Sequence, residues 1–212
     1  MRLARVVALG MAAVVLAGGP AWGESPTAQL RSRIDQVLRT LEDPELREET
    51  RVAERRAAIR AIAHELFDFR ETSQRSLARH WQARTPAERE EFTALFADLV
   101  ERSYIGRIET YTGGERIVFA GDVVQGDHAT VRTRIVTRQG GEIPVDYRMH
   151  RKGERWLAYD VAIEGVSMVA SYRAQFNKII QTSSYRDLVD KLRAKQAEAA
   201  EAEPPGPRAS RR

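Results

Sequence analysis

The chain has 212 residues, with 34 Lys and Arg against 30 Asp and Glu, four His and no Cys. The absence of Cys excludes disulfides, thiol catalysis and thiolate metal sites, so the fold must hold by packing alone. The near balance of charge excludes the concentrated basic stripe of a nucleic-acid binder.

Arg2 and Arg5 precede an apolar run of 12 residues, Val6 to Ala17, and Pro20 and Ala21-Trp22-Gly23 follow it. A bilayer span needs about 20 apolar residues. Residues 1–23 therefore read as a signal peptide cleaved near Glu24, and the expected location of the mature chain is the periplasm. Without Arg2 and Arg5 the count is 32 basic against 30 acidic side chains.

Leu30, Ile34, Val37, Leu38 and Leu41 recur at helical spacing, and Asp43-Pro44 ends that helix. Val52, Ile59, Ile62, Ala63 and Leu66 form a second stripe. The Arg residues between 47 and 60 alternate with Glu45, Glu48, Glu49 and Glu54, the pattern of a solvated helix face. A third helix runs from about Phe69 to Trp81. The fourth has the clearest start: Thr85 at the N-cap, Pro86 at the first helical position and Glu88 placed to close a capping box. Its stripe is Phe92, Leu95, Phe96, Leu99, Val100, Tyr104, Ile108 and Tyr111.

After Gly113-Gly114 the period changes to two. Ile117, Phe119 and Val123 alternate, then Val131, Thr133 and Ile135, then Ile143, Val145, Tyr147 and Met149, then Leu157, Tyr159, Val161 and Ile163. Gly126-Asp127, Gly140-Gly141 and Lys152-Gly153 separate the runs, so consecutive antiparallel hairpins are expected. Helix returns with Val166, Val169, Tyr172, Phe176 and Ile179 on one face, then Tyr185 to Leu192. The predicted fold is α+β, with helices on one face of a curved antiparallel sheet of about four strands. Residues 24–195 form the domain, and residues 196–212, rich in Ala and Glu and then in Pro, Gly and Arg, are expected to be a disordered tail.

Signals for chemistry are sparse. His64, His80, His128 and His150 lie on separate elements without metal-ligand spacing, and no glycine loop opens a helix for phosphate. No metal, no cofactor and no catalytic residue is expected. Gly165-Val166-Ser167-Met168-Val169 has the strand-to-helix setting of a nucleophile elbow without its last Gly, and Ser167 reads better as a helix N-cap. Asp146 and Asp160 fit either solvent-facing or Arg-paired strand residues, with Arg132, Arg134 and Arg148 as nearby cations, or the acid/base groups of an enzyme. The apolar stripes fit a packed core and a pocket lining equally.

Certain residues carry a resemblance. They are Phe67-Asp68-Phe69, Trp81, Thr85-Pro86-Ala87-Glu88-Arg89 with Phe92, Phe96 and Leu99, then Tyr104 and Tyr111. Trp156, Tyr159-Asp160-Val161, Glu164-Gly165-Val166-Ser167-Met168, Tyr172-Arg173 and Phe176 complete the set. In this order and spacing, over about residues 30 to 195, the chain resembles the MlaC family, also called the toluene-tolerance or ABC-transporter auxiliary family. It is also similar to members tied to hopanoid biosynthesis. The resemblance implies a cone related to the nuclear-transport-factor-2 and cystatin folds, with an apolar cavity for the tails of a phospholipid or hopanoid-like lipid. It further implies two partners: the MCE-domain subunit of an inner-membrane ABC transporter and an outer-membrane lipoprotein–porin complex. Under that reading the expected lining is Phe96, Leu99, Val100, Tyr104, Ile135, Val145, Tyr147, Tyr159, Val166, Met168, Val169 and Tyr172. The alternative on the same cone is an enzyme or isoprenoid-handling protein acting on a small apolar substrate.

Overall fold

A computed structural model describes residues 24–111 and 113–202. The signal-peptide expectation and the last ten residues of the predicted tail fall outside the described residues. Helix α1 (Pro26–Glu42) starts on Ser25, whose hydroxyl accepts from Ala28 N, and α2 (Val52–Leu66) packs beside it. Helix α3 (Phe69–Leu77) is capped by Asp68. Helix α4 (Pro86–Ile108) has the predicted capping box: Glu88 N donates to Thr85 Oγ1, and Thr85 N donates to the Glu88 carboxylate.

The meander follows as β1 (Arg116–Gln125), β2 (His128–Val136), β3 (Glu142–Lys152) and β4 (Arg155–Ile163). A two-residue β5 (Val166–Ser167) adds a fifth strand, and the order in space is the order in sequence. Glu164 and Gly165 both have positive φ, +50° and +80°, and form the tight turn that pairs Val166 with Ile163. Helices α5 (Met168–Thr182) and α6 (Tyr185–Ala202) close the chain, with Ser167 as the N-cap of α5 through Ala170 N. Helix α6 continues through residues 196–202, where composition suggested a tail. Alanine and glutamate are strong helix formers, and Leu192 is the last buried residue of the described chain, so the final turns are carried by propensity. No helix among the described residues is long and apolar enough to cross a membrane.

Aromatic packing fixes the helical half. Phe92 and Phe96 are fully buried and stack on one another, and Phe176 meets both edge-on. Each such ring contributes about 2–3 kcal/mol by burial. The sheet half is joined to this bundle at Phe67 and Asp68, where Asp68 N donates to Ala158 O at 2.9 Å.

Candidate functional site

Strand register decides which side chains share a face. Val131 lies opposite Tyr147 and Thr133 opposite Val145, while across β4 Tyr147 meets Val161 and Val145 meets Ile163. With Ala129, Ile135, Ile143, Met149, Trp156 and Ala158 they form one side of the sheet, the side that α1 covers. Near the β3–β4 turn this face is closed over β2, β3 and β4, where Ala129, Val131, Met149, Trp156 and Ala158 are buried with Leu30 and Ile34 of α1, whereas Val124 on the edge strand β1, opposite Ala129, is 48% exposed. Towards the β2–β3 turn Thr133 and Val145 are still buried, but Ile135 and Ile143 at the turn, Tyr147, and Val161 and Ile163 on β4 are only half-buried. Leu38 on α1 and Ile117 and Phe119 on β1 are half-buried as well.

A single domain ordinarily has one contiguous core. Here most of the buried apolar residues separate into three clusters. One is helical, around Phe92, Phe96, Val169 and Phe176; one joins α1 to the inner sheet face; a small third holds Leu41, Ile59 and Ile105. Phe67 packs against both of the larger two. The aromatic stripe of α4 is therefore spent on the helical bundle rather than interdigitated with the sheet.

Two β-bulges set the curvature and reverse part of the expected alternation. Gly121 follows Phe119 in pairing with β2, leaving Ala120 unpaired, so Asp122 points to the inner side and Val123 to the outer. Asp122 accepts from Thr27 Oγ1 at 2.6 Å at the start of α1, and Val123 is 45% exposed. On β4 the extra residue is Tyr159, between Ala158 opposite Met149 and Asp160 opposite Arg148. One added residue flips the face of everything beyond it.

The twelve predicted lining residues divide accordingly. Phe96, Val100, Met168 and Val169 are buried in the helical cluster, with Leu99, Tyr104 and Tyr172 packed against it. Ile135, Val145 and Tyr147 lie together on the inner sheet face. Two positions require correction. Tyr159, displaced by the bulge, lies on the outer side under the Arg75 guanidinium, 4.0 Å from its ring centre, with His128 and His150 edge-on to it. Val166 is 65% exposed, because the Glu164-Gly165 turn holds it in β5 instead of opening the helix. Conversely, Leu38, Phe119, Val161 and Ile163 share the inner face without having been singled out. The strand alternation was the signal for the last two, and Gly121 within a strand was a signal for the first bulge.

Polar groups around the strands are tied down. Asp160, 1% exposed, accepts from Ser167 Oγ (2.6 Å), Arg148 Nη1 (2.8 Å) and Val169 N (3.0 Å), so it anchors the start of α5 to β4. Glu101 is buried between α4 and α2, with His64 Nε2 at 2.8 Å and Arg60 at 3.7 Å. Burial pushes its carboxyl above the ordinary value despite these cations. Glu109 is held below it: burial opposes ionisation, but bonds from Arg56 and Arg55 prevail. On the inner face, burial alone pushes the Tyr147 hydroxyl up to about 12. Two surface clefts, about 410 and 490 Å³, run along α1 between polar residues such as Arg31 and Asp35 or Gln29 and Glu65, and none of the twelve lines them. Among the described residues, no three His, Asp or Glu side chains group to hold a metal.

Fold and site together define a helix-on-curved-sheet α+β domain whose sheet face is apolar and incompletely covered. The chain belongs to the MlaC family: the MlaC protein model matches residues 31–194. Among solved structures, the phospholipid-binding protein from Ralstonia solanacearum, determined in complex with a phospholipid, aligns with a TM-score of 0.73. The alignment covers 84% of this chain and 99% of that one at 24% identity, which establishes the shared fold.

Proposed function

We propose that this protein is a periplasmic carrier that holds the acyl chains of a phospholipid between the inner sheet face and the helices. In this reading it shuttles lipid between the outer and inner membranes. Its proposed partners are the MCE-domain subunit of an inner-membrane ABC transporter and an outer-membrane lipoprotein–porin complex. The observation that carries the reading is the break in the core: the inner face is apolar, loosens towards Ile135, Ile143 and Ile163, and is not interlocked with α4. Family membership and the phospholipid in the Ralstonia solanacearum protein support the same cargo class.

The energetics favour handover by contact. Burial gains about 0.8 kcal/mol per methylene, so two chains of roughly 16 carbons gain on the order of 20–25 kcal/mol over water. A bilayer offers nearly the same gain. Exchange between membrane and carrier is then close to isoenergetic, whereas release into water is prohibitive. The lining proposed is Ile135, Val145 and Tyr147 on the sheet and the half-buried Leu99, Tyr104 and Tyr172 on the helices, with Phe96, Val100, Met168 and Val169 buried behind them. Native mass spectrometry of protein purified without detergent tests the reading. Co-purified diacyl lipid in stoichiometric amount is expected, and a lipid-free protein that takes up none from vesicles refutes it.

A further inference from the structure

Tyr147 is out of keeping with its surroundings. It stands at mid-height on the inner face, between Val131 and Val161 across the strands and Val145 and Met149 along its own. Protein surrounds it closely enough that desolvation alone moves its hydroxyl, yet the residue keeps accessible surface. Among the described residues the hydroxyl has no hydrogen-bond partner. The oxygen is not fully enclosed by protein, so solvent or a ligand can reach it. Thr133, on the same face, differs: its hydroxyl donates to Val145 O at 2.8 Å.

Once cargo displaces water from the inner face, a phenol in an apolar wall with no protein partner is costly unless the cargo satisfies it. An ester-linked lipid brings the complementary problem. Its chains are satisfied by burial, but its carbonyl oxygens lose their water on entering and need a donor. From these two observations we propose that the Tyr147 hydroxyl donates a hydrogen bond to an ester carbonyl of the cargo. It thereby selects acylglycerol lipids over lipids that lack a carbonyl, ether-linked and polycyclic hydrocarbon lipids included. This rests on the carrier reading above and narrows its substrate class.

The test compares a diester and a diether phosphatidylethanolamine of equal chain length, offered in equimolar mixture to delipidated protein and quantified by mass spectrometry. Wild type is expected to take the diester about two- to tenfold in preference, the factor that one neutral hydrogen bond supplies. Tyr147→Phe keeps the ring and the volume, and is expected to bind both lipids equally while keeping its melting temperature. Equal uptake of both lipids by wild type overturns the proposal and leaves the carrier reading standing. An undiminished preference in Tyr147→Phe overturns it too, by assigning the selection to another group. Uptake of neither lipid is the failure of the carrier reading itself.

Discussion

The three bonds to Asp160 make a quantitative prediction about what joins sheet to helix. Replacing it with Ala removes the acceptor for Val169 N at the start of α5, for Ser167 Oγ and for Arg148. An unsatisfied helix-start N–H costs about 1 kcal/mol, and the lost hydroxyl bond costs about as much again. Arg148 is half exposed and returns to water, so its pair is worth under about 1 kcal/mol. The sum for Asp160→Ala is about 3 kcal/mol. Asp160→Asn keeps the volume and one acceptor oxygen, and loses the negative charge at the helix start, for about 1 kcal/mol. With a urea slope of about 2 kcal/mol per molar, the midpoint falls by roughly 1.5 M for Ala and 0.5 M for Asn. Urea unfolding followed by circular dichroism measures both. Equal losses in the two variants, or a loss under about 0.3 M for Ala, would refute the assignment of Asp160 as an anchor.

Two further outcomes follow from the bulge and from the buried carboxylate. Gly121 has φ +103° with open space where a Cβ would stand, so Gly121→Ala meets backbone strain alone. A loss of about 1–2 kcal/mol is expected in the same urea assay, and an unchanged midpoint would mean that the bulge relaxes freely. Burial raises the pKa of Glu101, so its ionised form is the one the fold disfavours. The stability tied to its protonated form is complete below the unfolded value near 4.5 and is lost as pH rises through the raised folded value. Glu101→Gln should therefore melt a few degrees above wild type at pH 7, with the gap closing towards pH 4.5. A lower melting temperature at pH 7 would show that the attraction of His64 and Arg60 outweighs desolvation.

Most elements were legible because their signals are local. The Thr85 capping box, the Ser167 cap, the change of period after Gly114 and the three hairpin turns depend on residues within a few positions of one another. The faces of β1 and β4 were less legible. Leu157, Tyr159, Val161 and Ile163 alternate without a flaw in sequence, yet the bulge puts Tyr159 on the opposite side from Val161 and Ile163. Nothing in Tyr159 itself announces this. Its place is set by Thr72, whose hydroxyl donates to Tyr159 O from 87 positions away, and by Arg75 above its ring. Val166 was misplaced for a related reason, since Glu164, a non-Gly residue, adopts the left-handed conformation and with Gly165 makes a tight turn that puts Val166 in a strand. Cavity and core share one hydrophobic pattern, so the separation of the clusters was visible only in three dimensions.

The strict sequential order of the strands also sets the tempo of assembly. Each strand finds its partner across a short turn, so the meander can form early and at small entropic cost. The helix that covers its inner face cannot. Gln29 on α1 accepts from Trp156 N across 127 positions, and Thr27 reaches Asp122 across 95. Docking of α1 is accordingly expected to follow the meander, which would leave an apolar β-surface facing solvent until it occurs. That interval is when the nascent fold is most prone to aggregation, and when a chaperone or a membrane would have its easiest access to the site.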